Sequence, residues 1–329
     1  MGRRKAIFGA AALALAAAVA LSLGLGAVSM GPSELWHALT GEDELYRRIL
    51  IHARVPRTVS AVLAGSALAV SGVIIQGVLN NPLAGPNIIG VNAGAGLAAA
   101  LCCALLPSMP GLVAGASFAG ALASTLLIFC LARKTGASRI TLVLAGMAVN
   151  YLLNAGTDTV ITLVPDALTA SADFRMGSLA SVTSLAQLGP AAALIGVGLA
   201  AAGLLSHELD VLRLGEDTAR SLGLAVRPVR FGLLLAASAL AGAAVSFAGL
   251  LGFVGLIVPH AARFFVGEES ARLIPLSALM GAAFLTFCDM LSRVLFAPFE
   301  LPVGILMAFL GAPFFVWLLL RQRGGRGHA

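Results

Sequence analysis

The chain has 329 residues, of which 59% are hydrophobic and only 11% are charged, and its mean hydropathy is +0.97. Soluble globular domains carry about 25% charged residues, so this composition excludes a soluble protein and favours a chain solvated by lipid. The net charge of +6 does not indicate a nucleic-acid partner, because the basic residues are distributed as membrane proteins distribute them.

Helices are the predicted way for the chain to cross the membrane. Glycine is abundant, with 38 residues, and aromatic residues make up 6%. Small residues allow close helix packing in lipid, whereas a transmembrane barrel needs alternating strands and aromatic girdles. We therefore predict an all-α polytopic membrane protein of about ten transmembrane helices in a single transmembrane domain, 1–329. The predicted spans are 6–28, 58–79, 89–106, 111–132, 138–164, 187–206, 230–249, 252–266, 274–296 and 302–320.

The first span begins with basic residues. Arg3, Arg4 and Lys5 precede a long Ala/Leu run, and Ala18-Val19-Ala20 imitates a signal-cleavage site. The apolar run is longer than the about 7–15 residues of a usual signal peptide. We therefore expect this helix to be retained as a membrane span.

The basic residues also predict the orientation. If ten spans place both termini in the cytoplasm, 15 of the 21 Lys and Arg residues lie on the cytoplasmic side and six lie outside, as the positive-inside rule requires. The two long outer segments are then 29–57 and 165–186, and the longest inner loop is 207–229. We expect the chain in the cytoplasmic (inner or plasma) membrane, with its N- and C-termini in the cytoplasm.

Two prolines interrupt the chain where the second span reaches the inner side. An Arg54-Val-Pro-Arg57 start leads through the span to Asn80-Asn81-Pro82-Leu83-Ala84-Gly85-Pro86-Asn87, which predicts a break. Broken backbone at membrane depth is tolerated only where it is buried in protein or lines a water-filled path. An ordinary turn between two spans is the alternative.

A polar stripe is predicted along the fifth span. Asn150, Asn154, Asp158 and Thr162 recur every four residues and so share one face of a helix. Because Asp at the bilayer centre costs about 2.5–3.5 kcal/mol on insertion scales, we expect the stripe to line a translocation path. Hydrogen bonding between helices is the alternative. For Asp289, a lone acid in the ninth span, hydrogen bonding between helices or ion pairing is the expected role.

The inner loop 207–229 contains a predicted short helix. Glu216 and Asp217 lie near its start, where acids suit the helix dipole. A helix this short is marginal without packing, and Ala219 and Gly223 leave room for another surface to approach. The loop therefore predicts a docking site for a partner, although a solvated connector would have a similar sequence.

The chain lacks the parts of an ATPase. A P-loop ends in Gly-Lys-Ser/Thr, but the two lysines, Lys5 and Lys134, do not follow a glycine. The four cysteines lie in apolar runs without metal-ligand spacing. We predict no catalytic site and no metal or cofactor bound by this chain, so that energy from ATP must come through a partner.

Several motifs together resemble the FecCD/BtuC-type permeases of binding-protein-dependent ABC importers for iron-siderophores, haem and vitamin B12. The resemblance covers about residues 50–321 and includes the two proline-containing motifs and the 214–223 segment described above. Three further motifs carry it: Gly252-Phe253-Val-Gly255-Leu-Ile-Val-Pro259-His260, Glu300-Leu301-Pro302-Val-Gly304 and Leu310-Gly311-Ala312-Pro313-Phe314-Phe315.

The resemblance implies a type II ABC importer permease fold, a homodimer, two ATPase subunits that hold ATP and Mg, and a substrate-binding protein. It also assigns expected roles to residues of this chain. They are binding-protein docking by exposed outer arginines (Arg54, Arg57, Arg293), a cytoplasmic gate (Asn81, Leu83, Ser138) and ATPase coupling (Leu214, Gly215, Glu216, Ala219, Arg220, Gly223). Contact with lipid headgroups is the alternative for the arginines.

The expected function is that of the permease subunit of an ABC importer. The expected cargo is an iron chelate, first an iron(III)-siderophore, with haem or vitamin B12 and other corrinoids as alternatives. Alternatives of other classes are a secondary transporter driven by an ion gradient and a membrane-embedded structural protein. Co-purification with a soluble ATPase distinguishes the importer from both.

Overall fold

The structure is a computed structural model that describes residues 2–26, 29–134 and 139–324. Across these residues sixteen α-helices follow one another, and none of the described residues forms a strand. The predicted all-α class is therefore confirmed.

Ten of the helices are apolar. Seven of these are long and apolar enough to cross a membrane, and three are shorter. Each begins and ends within four residues of a predicted span. They are α1 (Gly2–Gly24), α4 (Val55–Leu79), α5 (Val91–Leu105), α6 (Leu112–Lys134), α7 (Arg139–Leu163), α10 (Leu185–Leu204), α13 (Val226–Ala248), α14 (Val254–Val266), α15 (Ser270–Val294) and α16 (Val303–Gly324).

Six short helices lie in the segments that were expected to be outer or inner loops. We call the end of the bundle at which α1 begins the inner end and the opposite one the outer end, after the charge-based prediction. Two helix pairs lie at the outer end and one pair at the inner end. They are α2 (Pro32–Thr40), α3 (Glu44–Ile49), α8 (Asp166–Ala170), α9 (Ala172–Met176), α11 (Ser206–Arg213) and α12 (Glu216–Ser221).

The core of the bundle forms around α4, which packs against α15, α13, α14 and α10. Of its apolar window 78% is buried, against 22% for α7 and 17% for α1. Glycine allows the closest crossings: a Cβ at Gly65 would collide with the backbone of Gly281, and one at Gly72 with that of Gly255. Close contact between backbones is the main source of helix attraction in lipid.

The first helix is joined to the bundle at its outer end. The Ser22 hydroxyl is buried and lies 2.8 Å from the Thr58 hydroxyl of α4. Arg293 of α15 donates a hydrogen bond to the same Ser22 oxygen at 2.7 Å. Ser22 follows Ala20, the end of the segment that imitates a signal-cleavage site. A chain cleaved after Ala20 would therefore lose the part of α1 that positions Ser22 for these bonds.

Candidate functional site

The polar stripe lies on an exposed flank of α7. Asn154, Asp158 and Thr162 are exposed, whereas Asn150 is half-buried. The two asparagines lie near the middle of the helix and Asp158 lies nearer its outer end. Polar and charged side chains in a membrane helix avoid lipid and face protein or water. This flank of the protomer therefore has the chemistry of a covered or hydrated face, unlike the apolar flanks beside it.

The inner half of the stripe contacts the first chain break. The Asn150 side-chain amide donates to the Asn87 carbonyl oxygen at 2.8 Å. Its own carbonyl oxygen is buried and has no hydrogen-bond partner among the described residues. The stripe and the break are thus parts of one polar region rather than separate features.

The predicted break between the second and third spans is confirmed. Helix α4 ends at Leu79 because Asn80 adopts the left-handed conformation, with φ +49°. A single 3-10 turn, Pro86–Ile89, follows, and Gly90 at φ +83° immediately precedes α5. Asparagine and glycine tolerate this region better than other residues.

A second break, 249–253, lies between α13 and α14 and faces the first one. Phe253 has φ +65°, a conformation that bulky residues rarely adopt, and its ring packs against Gly311 of α16. Asn92 donates to the Leu251 carbonyl oxygen at 3.5 Å. Both breaks border a cavity of about 290 Å³ lined mainly by Leu68, Leu83, Ile88, Phe253, Leu256 and Phe315.

Two of the three predicted gate residues lie at this cavity or beside it. The Asn81 side-chain oxygen accepts a hydrogen bond from the Leu83 backbone N–H at 2.9 Å, which holds the turn. Leu83 lines the cavity. Ser138 lies outside the described residues. The gate stays a prediction for all three.

The expectation that the outer arginines are exposed is wrong. Arg54 is 4% exposed, Arg57 8% and Arg293 3%. The reason is that the chain supplies their partners itself, from elements that lie far apart in the sequence. Their role in docking a binding protein stays a prediction.

The partners form an ion-pair network around Asp289, whose expected pairing is confirmed. Arg57 Nε lies 3.0 Å from Asp289 Oδ1, and Arg293 Nε lies 3.2 Å from Asp289 Oδ2. Arg57 also contacts Glu300, at 2.5 Å, and Arg54 donates to the Leu23 carbonyl oxygen. The network joins the outer ends of α1, α4 and α15 and the segment before α16.

At the inner end, α12 is held against its own chain. Glu216 contacts Arg220 at 2.5 Å and Arg230 of α13 at 3.0 Å. Ala219 is fully buried, so the expectation that it leaves room for a partner is wrong: its small side chain lets α12 pack on the bundle. The exposed apolar side chains beside α12 are instead Leu214 and Leu222, each 62% exposed, and docking of a partner here stays a prediction.

The preceding helix, α11, is joined to the turn between α14 and α15, which the sequence analysis missed. Asp210 accepts hydrogen bonds from the Ser270 backbone N–H at 3.0 Å and from its hydroxyl at 2.6 Å. Arg213 donates to the Glu268 carbonyl oxygen at 2.5 Å. Asp210 and Ser270 are 60 residues apart, so no local pattern indicates the contact.

A buried glutamine joins α4 to α14 near the same turn. The Gln76 amide donates to the Gly255 carbonyl oxygen at 3.1 Å. Its oxygen accepts from Arg263 at 2.6 Å. The segment that carries α12 is therefore connected through the turn and α14 to the core helix beside the first break.

Comparisons with known proteins agree on one family. The sequence profile of the FecCD transport family matches residues 14–321. The chain is 40% identical over 311 residues to the hemin transport system permease protein HmuU of Yersinia pestis, covering 92% of this chain and 91% of that one. It is 37% identical over 294 residues to the Fe(3+) dicitrate transport system permease protein FecD of Escherichia coli (strain K12), covering 88% and 91%.

A solved structure has the same fold. It is an inward-facing conformation of a metal-chelate type ABC transporter, superposed with a TM-score of 0.86 at 28% sequence identity. The match covers 96% of this chain and 99% of the other.

Proposed function

The chain belongs to the FecCD transport family, and we propose that it is the permease subunit through which an iron(III) chelate enters the cell. Relatives of this family are named as permeases of transport and import systems, so the chain is a transport subunit of an ABC importer. The names of the relatives support an iron complex as cargo. An iron(III)-siderophore is the first candidate, and haem is the second because a hemin permease is 40% identical over most of the chain.

The observation that carries this proposal is the exposed polar flank of α7. A second copy of the chain, related by a two-fold axis, would cover the flank and enclose a hydrated path between the two stripes. Asn150, Asn154, Asp158 and Thr162 would then line the path. The cavity between the two breaks would lie beside it, with Asn81, Leu83 and Ser138 as its cytoplasmic gate.

Two ATPase subunits, which bind ATP and Mg, would power transport through the path from the inner end. The exposed leucines beside α12, Leu214 and Leu222, are suited to a cleft in a partner, while Glu216 and Arg220 fix the helix. The bonds from α11 to the α14–α15 turn would carry movement of this segment towards α4. Both termini would lie in the cytoplasm, in agreement with the distribution of basic residues.

A substrate-binding protein would dock at the outer end. Because Arg54, Arg57 and Arg293 are buried, we propose that their network acts by positioning the docking surface, at which the Glu300 partner of Arg57 is partly exposed. Electrostatic complementarity between such surfaces orients partners as they meet.

Uptake by proteoliposomes tests the cargo and the path together. The chain is reconstituted with its ATPase and binding protein, and uptake of a radioactive iron(III)-siderophore and of hemin is measured with ATP inside. We expect Asp158→Asn to lower uptake about fivefold or more, equivalent to about 1 kcal/mol, with the dimer intact. Asp166→Asn, at an exposed acid outside the span, is the matched control.

Three results would contradict the proposal. Uptake driven by an ion gradient without ATP would indicate a secondary transporter. An unchanged rate for Asp158→Asn would remove the stripe from the path. Loss of the folded dimer in that variant would make the stripe a packing feature.

A further inference from the structure

A groove of about 550 Å³ lies at the inner end of the bundle, between the start of α1 and the end of α14. It is separate from the stripe, the breaks, the ion-pair network and α12, so the proposed function does not account for it. Its lining includes two arginines and four large apolar side chains: Arg4, Arg272, Ile7, Phe8, Phe264 and Phe265.

The apolar wall of the groove lies where two membrane helices reach the inner surface. Ile7 and Phe8 belong to the second turn of α1. Other helices cover little of α1, since only 17% of its apolar window is buried. Phe264 and Phe265 stand on the last turn of α14 and are 64% and 56% exposed. The Phe264 ring packs edge-on against His260, with ring centroids 5.2 Å apart. Apolar rings left uncovered at the end of a membrane span suit contact with acyl chains, which are themselves apolar.

The mouth of the groove is positively charged. Arg4 is exposed, and Arg272 is half-buried and 2.8 Å from Glu269. Glu269 is outside the lining, which contains no carboxylate among the residues that the structure describes. Arginine binds phosphate through two parallel hydrogen bonds. Two arginines at the headgroup level above an apolar wall match an anionic amphiphile in both charge and polarity.

We propose that this groove binds an anionic phospholipid of the cytoplasmic leaflet. Its phosphate lies between Arg4 and Arg272, and one acyl chain lies along Phe8, Phe264 and Phe265. Basic grooves between membrane helices on the cytoplasmic side bind such headgroups. The wall formed by α1 favours a lipid over a soluble subunit, because a membrane span faces acyl chains along its length.

Lipid titration of the purified full chain tests the site. Binding of phosphatidylglycerol and of phosphatidylethanolamine is followed by native mass spectrometry. We expect phosphatidylglycerol to bind more tightly, and Arg4→Gln and Arg272→Gln each to weaken it about fivefold, which is about 1 kcal/mol per charge. Arg133→Gln is the matched control, since it removes an exposed arginine from the inner end of α6. It should leave the preference unchanged.

Four outcomes would overturn the proposal. The first is an equal loss of preference in Arg133→Gln, and the second is an unchanged preference in a variant that combines Arg4→Gln with Arg272→Gln. The third is displacement of the lipid by glycerophosphoglycerol, which has the headgroup alone. The fourth is loss of ATPase association in these arginine variants while lipid binding stays intact. The last would make the groove a subunit contact. Thermal unfolding of each variant separates lost binding from lost folding, and Arg4→Gln alone, at an exposed position, keeps the test valid if Arg272→Gln is unstable.

Discussion

Asp289 is fully buried at the outer end of the bundle, with Arg57 and Arg293 within 3.2 Å. Removing charges from water costs several kcal/mol per ion, and pairing offsets this cost only while every partner is present. Two guanidinium groups that lie this close repel each other unless a carboxylate separates them. The Asp289 carboxylate is therefore expected to contribute more to the free energy of unfolding than a single exposed charge would.

We predict that Asp289→Asn destabilises the chain by about 3 kcal/mol or more, because buried Arg293 loses its carboxylate partner and Arg57 keeps only Glu300. Thermal unfolding in detergent measures the loss. Glu44→Gln is the control: Glu44 is exposed and bonded to Arg48 on the same helix turn, and such pairs contribute about 0.5 kcal/mol. Equal stability of Asp289→Asn and the native chain would show that the network adds nothing.

At the scale of single residues, the sequence identified Asp289 as an acid that needs a partner, but it did not identify the partners. A carboxylate in an apolar span needs a partner, so the pairing of Asp289 was predictable. Arg57 is 232 residues away, however, and no local pattern links the two. The same distance explains why the arginines were expected to be exposed: their burial depends on partners that only the folded chain brings together.

At the scale of the helices, α4 and α15 cross closely because the residues at the crossing are glycines, which have no side chain. Gly65 and Gly281 approach so closely that a Cβ on either would overlap the backbone of the other. Side chains at such a crossing would separate the helices and remove dispersion contacts along both.

We predict that Gly281→Ala destabilises the protein by about 1–3 kcal/mol, the usual cost of overpacking. The added Cβ would lie 2.6 Å from that of Ala69. Gly196→Ala is the control, because nothing lies within 4 Å of its Cβ position and alanine favours a helix by up to about 1 kcal/mol. The thermal unfolding temperature should fall for Gly281→Ala and rise for Gly196→Ala. A shift in the same direction for both variants would contradict the packing argument.

We predict that Leu222→Asp lowers co-purification of the ATPase while the chain stays folded, since Leu222 is exposed beside α12. Leu39→Asp, at a leucine of α2 that is 73% exposed, should bind the ATPase normally. Ala219→Trp should lose both stability and coupling, because Ala219 is buried. Normal ATPase binding by Leu222→Asp would place the docking site elsewhere.

Sequence patterns predicted the elements unequally. Pro82 and Pro86 indicated the first break because proline cannot continue a helix. The second break falls at the predicted boundary between spans 230–249 and 252–266, but Phe253 was placed inside the later span, since it is apolar and only its backbone conformation is unusual. Helix α11 was not predicted, because the helices it packs against, α4 and α15, lie far from it in the sequence.

At the scale of the whole molecule, the exposed faces of the helices differ in polarity. Helix α10 exposes Leu194 and Val197, which suit lipid, whereas α7 exposes its polar stripe. The composition predicted a membrane protein, and the spacing of the stripe predicted one polar face. Which neighbour covers that face depends on a second chain, whose position no pattern within one chain determines.

We predict that Asn154→Cys forms a dimer with a short thiol crosslinker in membranes, because the two α7 flanks face each other in the proposed homodimer. The experiment uses a background in which the four native cysteines are alanine. Val197→Cys, on the exposed flank of α10, should remain monomeric on gels. Crosslinking at Val197 but not at Asn154 would require a different dimer.

The bond between Ser22 and Arg293 has a consequence for biogenesis. The two residues are 271 positions apart, and ribosomes add about 5–20 residues per second. The first helix therefore remains in the bilayer for roughly 14–54 seconds before its partner is synthesised. During that time its polar end has Thr58 and Arg54, which follow within 36 residues, as the available partners among those described above. The last steps of translation, rather than the first, complete the attachment of α1.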